Sequence, residues 1–273
     1  MVDLSSLDRA CVNNGTDPDE FTLHYITLDL VICLSKLGPG ALMAKFDVEA
    51  TYRNVPVHLS HCVLLEMKWC DQFCVNLILP FGLRSAPFIF NSIADMLEWI
   101  LVNSYQIPDL HYLDDFITAG PPQSLQCAQN LATAMQVCQW HGLSFYPGKC
   151  VGPSTVLVVL GIELDSFNQV ARLPQEKLLA LQNSISSWLP WTWCNRHELE
   201  YLIGHLHHAA KVVWPGRTFL HPMIDLFAAF RGEITLFISI ENFISIFYGG
   251  TSFWRIGIAL ASGSSQDCCW RLM

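Results

Sequence analysis

Charge is scarce in this chain, and basic charge most of all. Only 14% of its 273 residues are charged, and 15 Lys and Arg stand against 24 Asp and Glu, a formal net charge of -9. That balance argues against a protein that coats nucleic acid electrostatically over its whole surface, although it leaves room for a local basic groove. Long apolar runs are also missing. The best candidate for a membrane span, "ITLFISIENFISIFYGG", is broken by Glu241 and Asn242 and is short for a bilayer. No internal repeat and no low-complexity tract interrupts the sequence. The 11 cysteines are odd in number and scattered, with no CxxC pair, and the opening "MVDLSSLDRA" carries charges where a signal peptide needs an apolar core. Together these features predict free or buried thiols in a reducing compartment, cytoplasm or nucleus, and a chain that is neither secreted nor membrane-bound.

What is present is a globular composition. Hydrophobic residues make up 52% of the chain, too many for disorder and enough for a sizeable core in one or two domains. A helix is expected around Leu28 to Leu37, ending at "GPG". "ALMAKFDV" reads as a buried strand ending at Asp47. "HCVLLEMKWCDQFCVNLILPFGL" reads as two strands around a turn near Asp71. Ser85 is placed to cap a helix whose first turn accepts Pro87, and Phe90, Ile93, Leu97, Ile100 and Leu101 recur along it at helical spacing. A second helix, Ser124 to His141, stops at Gly142, and "VLVVLGIEL" is another strand. Pro174 opens an amphipathic helix in "PQEKLLALQNSISSWL", and Asn195 and Glu198 have capping-box spacing at the start of another. The order predicts an α+β layer, an antiparallel sheet with helices on one face, followed by a helical subdomain from about 174 to 232. Residues 233–273 receive no assignment.

Two aspartates sit side by side in "HYLDDFITAG". Successive side chains of a strand point to opposite faces, so Asp114 and Asp115 fit best at the tip of a hairpin between His111–Leu113 and Phe116–Ala119. An ordinary solvated turn would look the same locally. Asp47 also ends a strand, however. If that strand lies beside the hairpin, three carboxylates meet at one sheet edge, and their repulsion is tolerated when cations sit between them. Hard oxygen ligands of this kind suit Mg²⁺, and two such ions roughly 3.5–4 Å apart support in-line displacement at phosphorus.

Five blocks, in order, carry a resemblance: "AKFDVEATYRNVPVH", "LPFGLRSAPFIFN", "HYLDDF", "LSFYPGKC" and "VVLGIEL". The set resembles the palm motifs of reverse transcriptases, nearest to those of retrotransposons of the tyrosine-recombinase (DIRS) type and their LTR relatives, over roughly residues 1 to 230. The resemblance implies a right-hand polymerase palm with partial fingers over 1–173, a helical thumb over 174–232 and a truncated tail over 233–273. It implies an RNA-directed DNA polymerase that adds deoxynucleotides to a primer 3′-hydroxyl with two Mg²⁺, Mn²⁺ being an alternative. Asp47, Asp114 and Asp115 match the catalytic metal ligands, helped by the backbone carbonyl of Val48. Tyr52 matches an aromatic gate against the ribose 2′-hydroxyl. Phe81 and Gly82 match the turn under the incoming nucleotide, and Lys149 the lysine on its pyrophosphate side. Leu160 and Gly161 match a primer-positioning hairpin. Arg196, Lys211 and Arg217 are candidates for phosphate contacts that hold a template–primer without reading it. A core aromatic at Tyr52, a simple turn glycine at Gly82 and solvated surface charges at Lys149, Arg196, Lys211 and Arg217 are the plainer alternatives.

The implied partners are an RNA or DNA template–primer, deoxynucleoside triphosphates, and the rest of a retroelement polyprotein with ribonuclease H and recombinase or integrase domains. The chain is expected to begin inside the fingers, past a Trp-Arg pair, and so to lack the basic residues that clamp the triphosphate, at a cost of orders of magnitude in rate. A catalytically inactive remnant that at most binds nucleic acid is therefore the second reading. A two-metal nuclease or phosphatase is the third, and the block order argues against it. Cys194, His197, His205 and His208 have spacings that zinc sites use. Ligands drawn from one continuous helix rarely surround a tetrahedral ion, so helix-face histidines are the expectation.

Overall fold

Strand β1, Leu42–Asp47, is the central element of the first unit. We describe it from a computed structural model that covers residues 11–17, 19–23, 37–188, 193–212, 216–229, 236–237 and 270–271. The chain divides into two units, residues 1–157 and 158–273. The helix expected over Leu28 to Leu37 lies almost wholly outside the described residues.

In the first unit, β1 pairs antiparallel with strand β5, Asp115–Gly120, and on its other side with strand β6, Val151–Ser154. Strand β4, Asp109–Tyr112, closes the order β4-β5-β1-β6. The register between β1 and β5 runs from Leu42 opposite Gly120 to Asp47 opposite Asp115. A bulge interrupts the pairing of β1 with β6 between Met43 and Lys45. Gly152 makes that approach possible: at φ +106, a Cβ there would lie 2.5 Å from the Met43 carbonyl oxygen.

Helices α1, Ala86–Tyr105, and α2, Gln126–Trp140, pack on the sheet. Their contact is the core of the unit. Phe46 and Phe116, from neighbouring strands, stack with centroids 5.1 Å apart and meet Phe90, Leu97 and Leu101 of α1 and Ala134, Val137 and Cys138 of α2. Each ring contributes about 2–3 kcal/mol of apolar burial. The expected stripe on α1 is observed, with Phe90, Leu97 and Leu101 fully buried and Ile93 and Ile100 packed against them. Pro87 takes the first turn as expected, but Ser85 makes no side-chain cap because its own backbone is already helical.

Two local expectations change. Residues 59–65 form a 3-10 helix rather than part of a strand, because the His58 ring accepts the Ser60 N–H and turns the chain at once. Strands β2, Glu66–Trp69, and β3, Gln72–Val75, follow as an exposed hairpin whose turn residues, Cys70 and Asp71, both have positive φ. "VLVVLGIEL" is two strands, β7 (Val156–Val159) and β8 (Ile162–Asp165), not one. Leu160 and Gly161 between them both have positive φ, 49° and 75°, the signature of a two-residue type I′ turn.

In the second unit, β8 continues to strand β9, Val170–Arg172, and Trp270–Arg271 adds to the edge of β9. Leu236–Phe237 pairs with Trp193–Cys194, so two short pieces of the unassigned stretch 233–273 are strands. Helices α3 (Gln175–Trp188), α4 (Arg196–Ala209) and α5 (Gly216–Ala229) enclose a core of Leu181, Ile185, Trp188, Leu199, Leu202, Leu206, Leu220 and Met223. The capping box at Asn195 and Glu198 is formed in both directions, at 2.8 and 2.9 Å.

Candidate active site

Sheet register brings the first two carboxylates together. Asp47 ends β1 directly opposite Asp115, which begins β5. Directly opposed residues of an antiparallel pair project to the same face with Cβ atoms about 5 Å apart, and like charges there destabilise the sheet. Asp114 precedes Asp115 at the tip of the β4–β5 hairpin, where Leu113 turns the chain with φ +55. The Val48 N–H donates to the Asp114 carbonyl at 3.0 Å, so the two strand ends are tied through the backbone.

The electrostatics follow from this crowding. The Asp115 carboxyl is pushed up, first by burial and then by Asp114 and Asp47, with Lys45 and Lys149 pulling the other way. Lys149 Nζ donates to Asp47 Oδ2 at 2.9 Å, and that bond with the three carboxylates pushes the Lys149 ammonium up. Because the Lys149 side chain is 59% exposed, the pair adds little stability. Its effect is to place a cation on the outer side of the acidic group. Three carboxylates with Lys149 and Lys45 nearby form a donor set whose chemistry fits a hard divalent ion. They are not gathered to ligating positions, and among the described residues no three His, Cys, Asp or Glu side chains are so arranged.

Beside the carboxylates, Ala50 adopts a left-handed conformation, φ 54, that starts the 3-10 turn Thr51–Asn54. That turn lifts Tyr52 onto Phe81, with centroids 5.0 Å apart, and against Phe90 at 6.3 Å. Phe81 is 45% exposed, so the two rings form a shelf open on one side. Gly82 turns with φ +93, and its carbonyl accepts from Asn13 Nδ2 at 2.9 Å, while Asn13 Oδ1 accepts the Arg84 N–H at 2.8 Å. The buried Asn13 side chain therefore fixes the turn from both sides.

The other expected residues lie in the second unit. Leu160 and Gly161 form the β7–β8 turn, and the Gly161 carbonyl lies 3.3 Å from His208 Nε2. Arg196, Lys211 and Arg217 are all exposed, and the Arg196 guanidinium lies 4.7 Å over the ring of Phe227. Cys194 is buried in the helical core, its thiol pushed up to about 11 by burial and by Glu198.

Two features escaped the sequence reading. Thr51 donates to Asp114 Oδ2 at 3.0 Å. Its only signal was a hydroxyl four residues after Asp47, which propensity does not single out. Behind the hairpin, the buried His111 ring contacts Glu98 and lies 3.3 Å from Asp95, and the buried Asp109 is pushed well up by burial and by Glu98. Alternation of β4 puts Asp109 and His111 on the helix-facing side together, a consequence visible only once the strand's start is known.

An antiparallel sheet with acidic residues on adjacent strand ends and two helices behind it is a polymerase palm-like α+β fold. The chain belongs to the reverse transcriptase (RNA-dependent DNA polymerase) family, whose profile matches residues 3–189. It is similar to Polyprotein P3 of Commelina yellow mottle virus, 24% identical over 228 residues that cover 78% of this chain and 11% of that protein. The chain thus spans about a tenth of the length of that relative. Among solved structures, it resembles a foamy viral protease–reverse transcriptase in complex with dsDNA, with a TM-score of 0.64, 15% identity, and 86% of this chain and 46% of that one covered. A foamy viral protease–reverse transcriptase in complex with an RNA/DNA hybrid gives a TM-score of 0.59 at 14% identity, over 84% and 29% of the two chains.

Proposed function

We propose that the chain is the palm and thumb of an RNA-directed DNA polymerase from a retroelement of DIRS or LTR type, acting on deoxynucleoside triphosphates and a template–primer. In this reading residues 1–173 are partial fingers and palm and 174–232 the thumb. The observation that carries it is the register of Asp47 opposite Asp115, with Asp114 tied alongside. Neither an ordinary turn nor a structural protein gives a reason to oppose two carboxylates on paired strands.

Asp47, Asp114, Asp115 and the Val48 carbonyl would hold Mg²⁺ or Mn²⁺, which supplies positive charge for attack of a primer 3′-hydroxyl on an α-phosphate. The chain's own residues do the rest. The Tyr52 ring, braced on Phe81 and Phe90, would clash with a ribose 2′-hydroxyl and so favour deoxynucleotides. Gly82 turns the backbone beneath the nucleotide with no side chain in the way. Lys149 releases Asp47 and turns to the leaving pyrophosphate, a swing that its exposed stem permits. In the second unit the Leu160–Gly161 turn bears on the primer, and Lys211 and Arg217 meet backbone phosphates. For Arg196 that role requires leaving the Phe227 ring. The polyprotein relative supports a multidomain precursor.

Primer extension on an RNA template tests the assignment. Incorporation that depends on added Mg²⁺ and disappears in Asp114→Asn supports it, and cleavage without incorporation supports a hydrolase instead. A second reading, a nucleic-acid binder without catalysis, is favoured by the tie of Asp47 to Lys149. Retained template–primer binding without extension would establish it.

A further inference from the structure

Thr51 has no part in the chemistry above, yet it touches two of the groups assigned to the cation. It opens the 3-10 turn after Ala50 and is 7% exposed. The left-handed Ala50 folds the turn back over the β4–β5 hairpin and delivers the hydroxyl there. Thr51 Oγ1 lies 3.0 Å from Asp114 Oδ2 and 3.4 Å from the Val48 carbonyl oxygen. A hydroxyl has one proton to give. The shorter distance and the charged acceptor send it to Asp114.

An aspartate at a hairpin tip is free to turn about its last side-chain torsion, which is broad and roughly two-fold. Repulsion from Asp47 and Asp115 would drive it outward to solvent. The Thr51 hydroxyl opposes that motion by holding Oδ2, which leaves Oδ1 available. The backbone bond from Val48 N–H to the Asp114 carbonyl anchors the same residue from below. With both restraints Asp114 keeps its orientation before any ion arrives, so less ordering remains to be done on binding.

We propose that Thr51 is a positioning residue for divalent-cation binding, holding the Asp114 carboxylate through its hydroxyl. The proposal rests on the reading of Asp114 as a cation ligand. Removing outer partners of this kind typically weakens metal affinity about 10–100-fold.

The test is a Mn²⁺ titration of the full 273-residue chain, followed by the electron paramagnetic resonance signal of the free ion. It compares the unmodified protein with Thr51→Val, Thr51→Ser and Asp114→Asn, each first checked by circular dichroism melting. Thr51→Val should weaken Mn²⁺ binding about tenfold or more, with Thr51→Ser close to the unmodified chain. If Thr51→Val fails to fold, Thr51→Ala takes its place. Binding by the hydroxyl-free variant as tight as the unmodified chain's, while Asp114→Asn binds weakly, overturns the proposal and leaves the cation site standing. Weak binding by both Thr51→Val and Thr51→Ser also overturns it, since packing rather than the hydroxyl would then matter. Unaltered binding by Asp114→Asn refutes the cation site itself, and the proposal with it.

Discussion

Replacing Asp109 by asparagine should change how the stability of the first unit depends on pH. Asp109 is 3% exposed, and neither of its carboxyl oxygens has a hydrogen-bond partner among the described residues. Burial, reinforced by Glu98, raises its folded pKa well above the ordinary carboxylate range. In the unfolded chain it titrates near 3.9. Below that value both states hold the proton and the group adds no pH dependence. Above it the unfolded state releases the proton while the folded state keeps it. Stability therefore falls by about 1.4 kcal/mol for each pH unit, until the folded carboxyl also ionises. Asparagine has no proton to lose, so the variant lacks this slope. Its amide is also buried without partners, a cost on the order of 1–3 kcal/mol that is the same at every pH. The diagnostic is thus the difference between the two proteins, which should move in favour of the variant as pH rises above the ordinary carboxylate range, at about 1.4 kcal/mol per pH unit while the folded carboxyl keeps its proton. For a protein unit of this size each such step is roughly 3–6 °C in Tm. Melting followed by circular dichroism at half-unit pH steps reads it directly. Parallel curves for the two proteins above the ordinary carboxylate range would refute the burial argument.

Three further outcomes are expected. Gly152→Ala forces a Cβ to within 2.5 Å of the Met43 carbonyl and should cost about 1–3 kcal/mol in urea unfolding, loosening β6 from β1. Asn195→Ala breaks the capping box of α4 and should cost about 1 kcal/mol, read by the same denaturation, whereas Asn195→Asp should cost little. Tyr52→Ala removes the ring from the Phe81 shelf and should relax discrimination against ribonucleotides by a factor on the order of ten or more, measured as the ratio of single-nucleotide incorporation rates.

The elements with strong local signals were legible. The apolar run before Asp47, the helical stripe from Phe90 to Leu101 and the Asn195–Glu198 box each carry their own reason to form, and each is where the pattern puts it. The hairpin was legible but its tip was not: both aspartates were expected there, whereas Leu113 and Asp114 form the turn and Asp115 begins the second strand, paired with Tyr112. What failed depends on backbone sign or on distant partners. The turn at Leu160 needs positive φ from a leucine, which propensity disfavours, so an apolar run that breaks there looked continuous. The 3-10 helix over 59–65 depends on a histidine ring accepting a backbone N–H two residues on. The tie from Thr51 to Asp114 spans 63 residues and exists only once Ala50 turns left-handed. Block order pointed to the family, while the contacts that orient each carboxylate are properties of the folded sheet.

The measurement that bears most directly on the account is single-turnover addition of one deoxynucleotide to a primer on an RNA template, run with Mg²⁺ for the unmodified chain and for Asp47→Asn, Asp114→Asn and Asp115→Asn. The account predicts incorporation by the unmodified chain and a loss on the order of a hundredfold or more in each variant, with the fold retained. Incorporation that survives all three substitutions would contradict it, because the opposed strand-end carboxylates would then have no part in the chemistry.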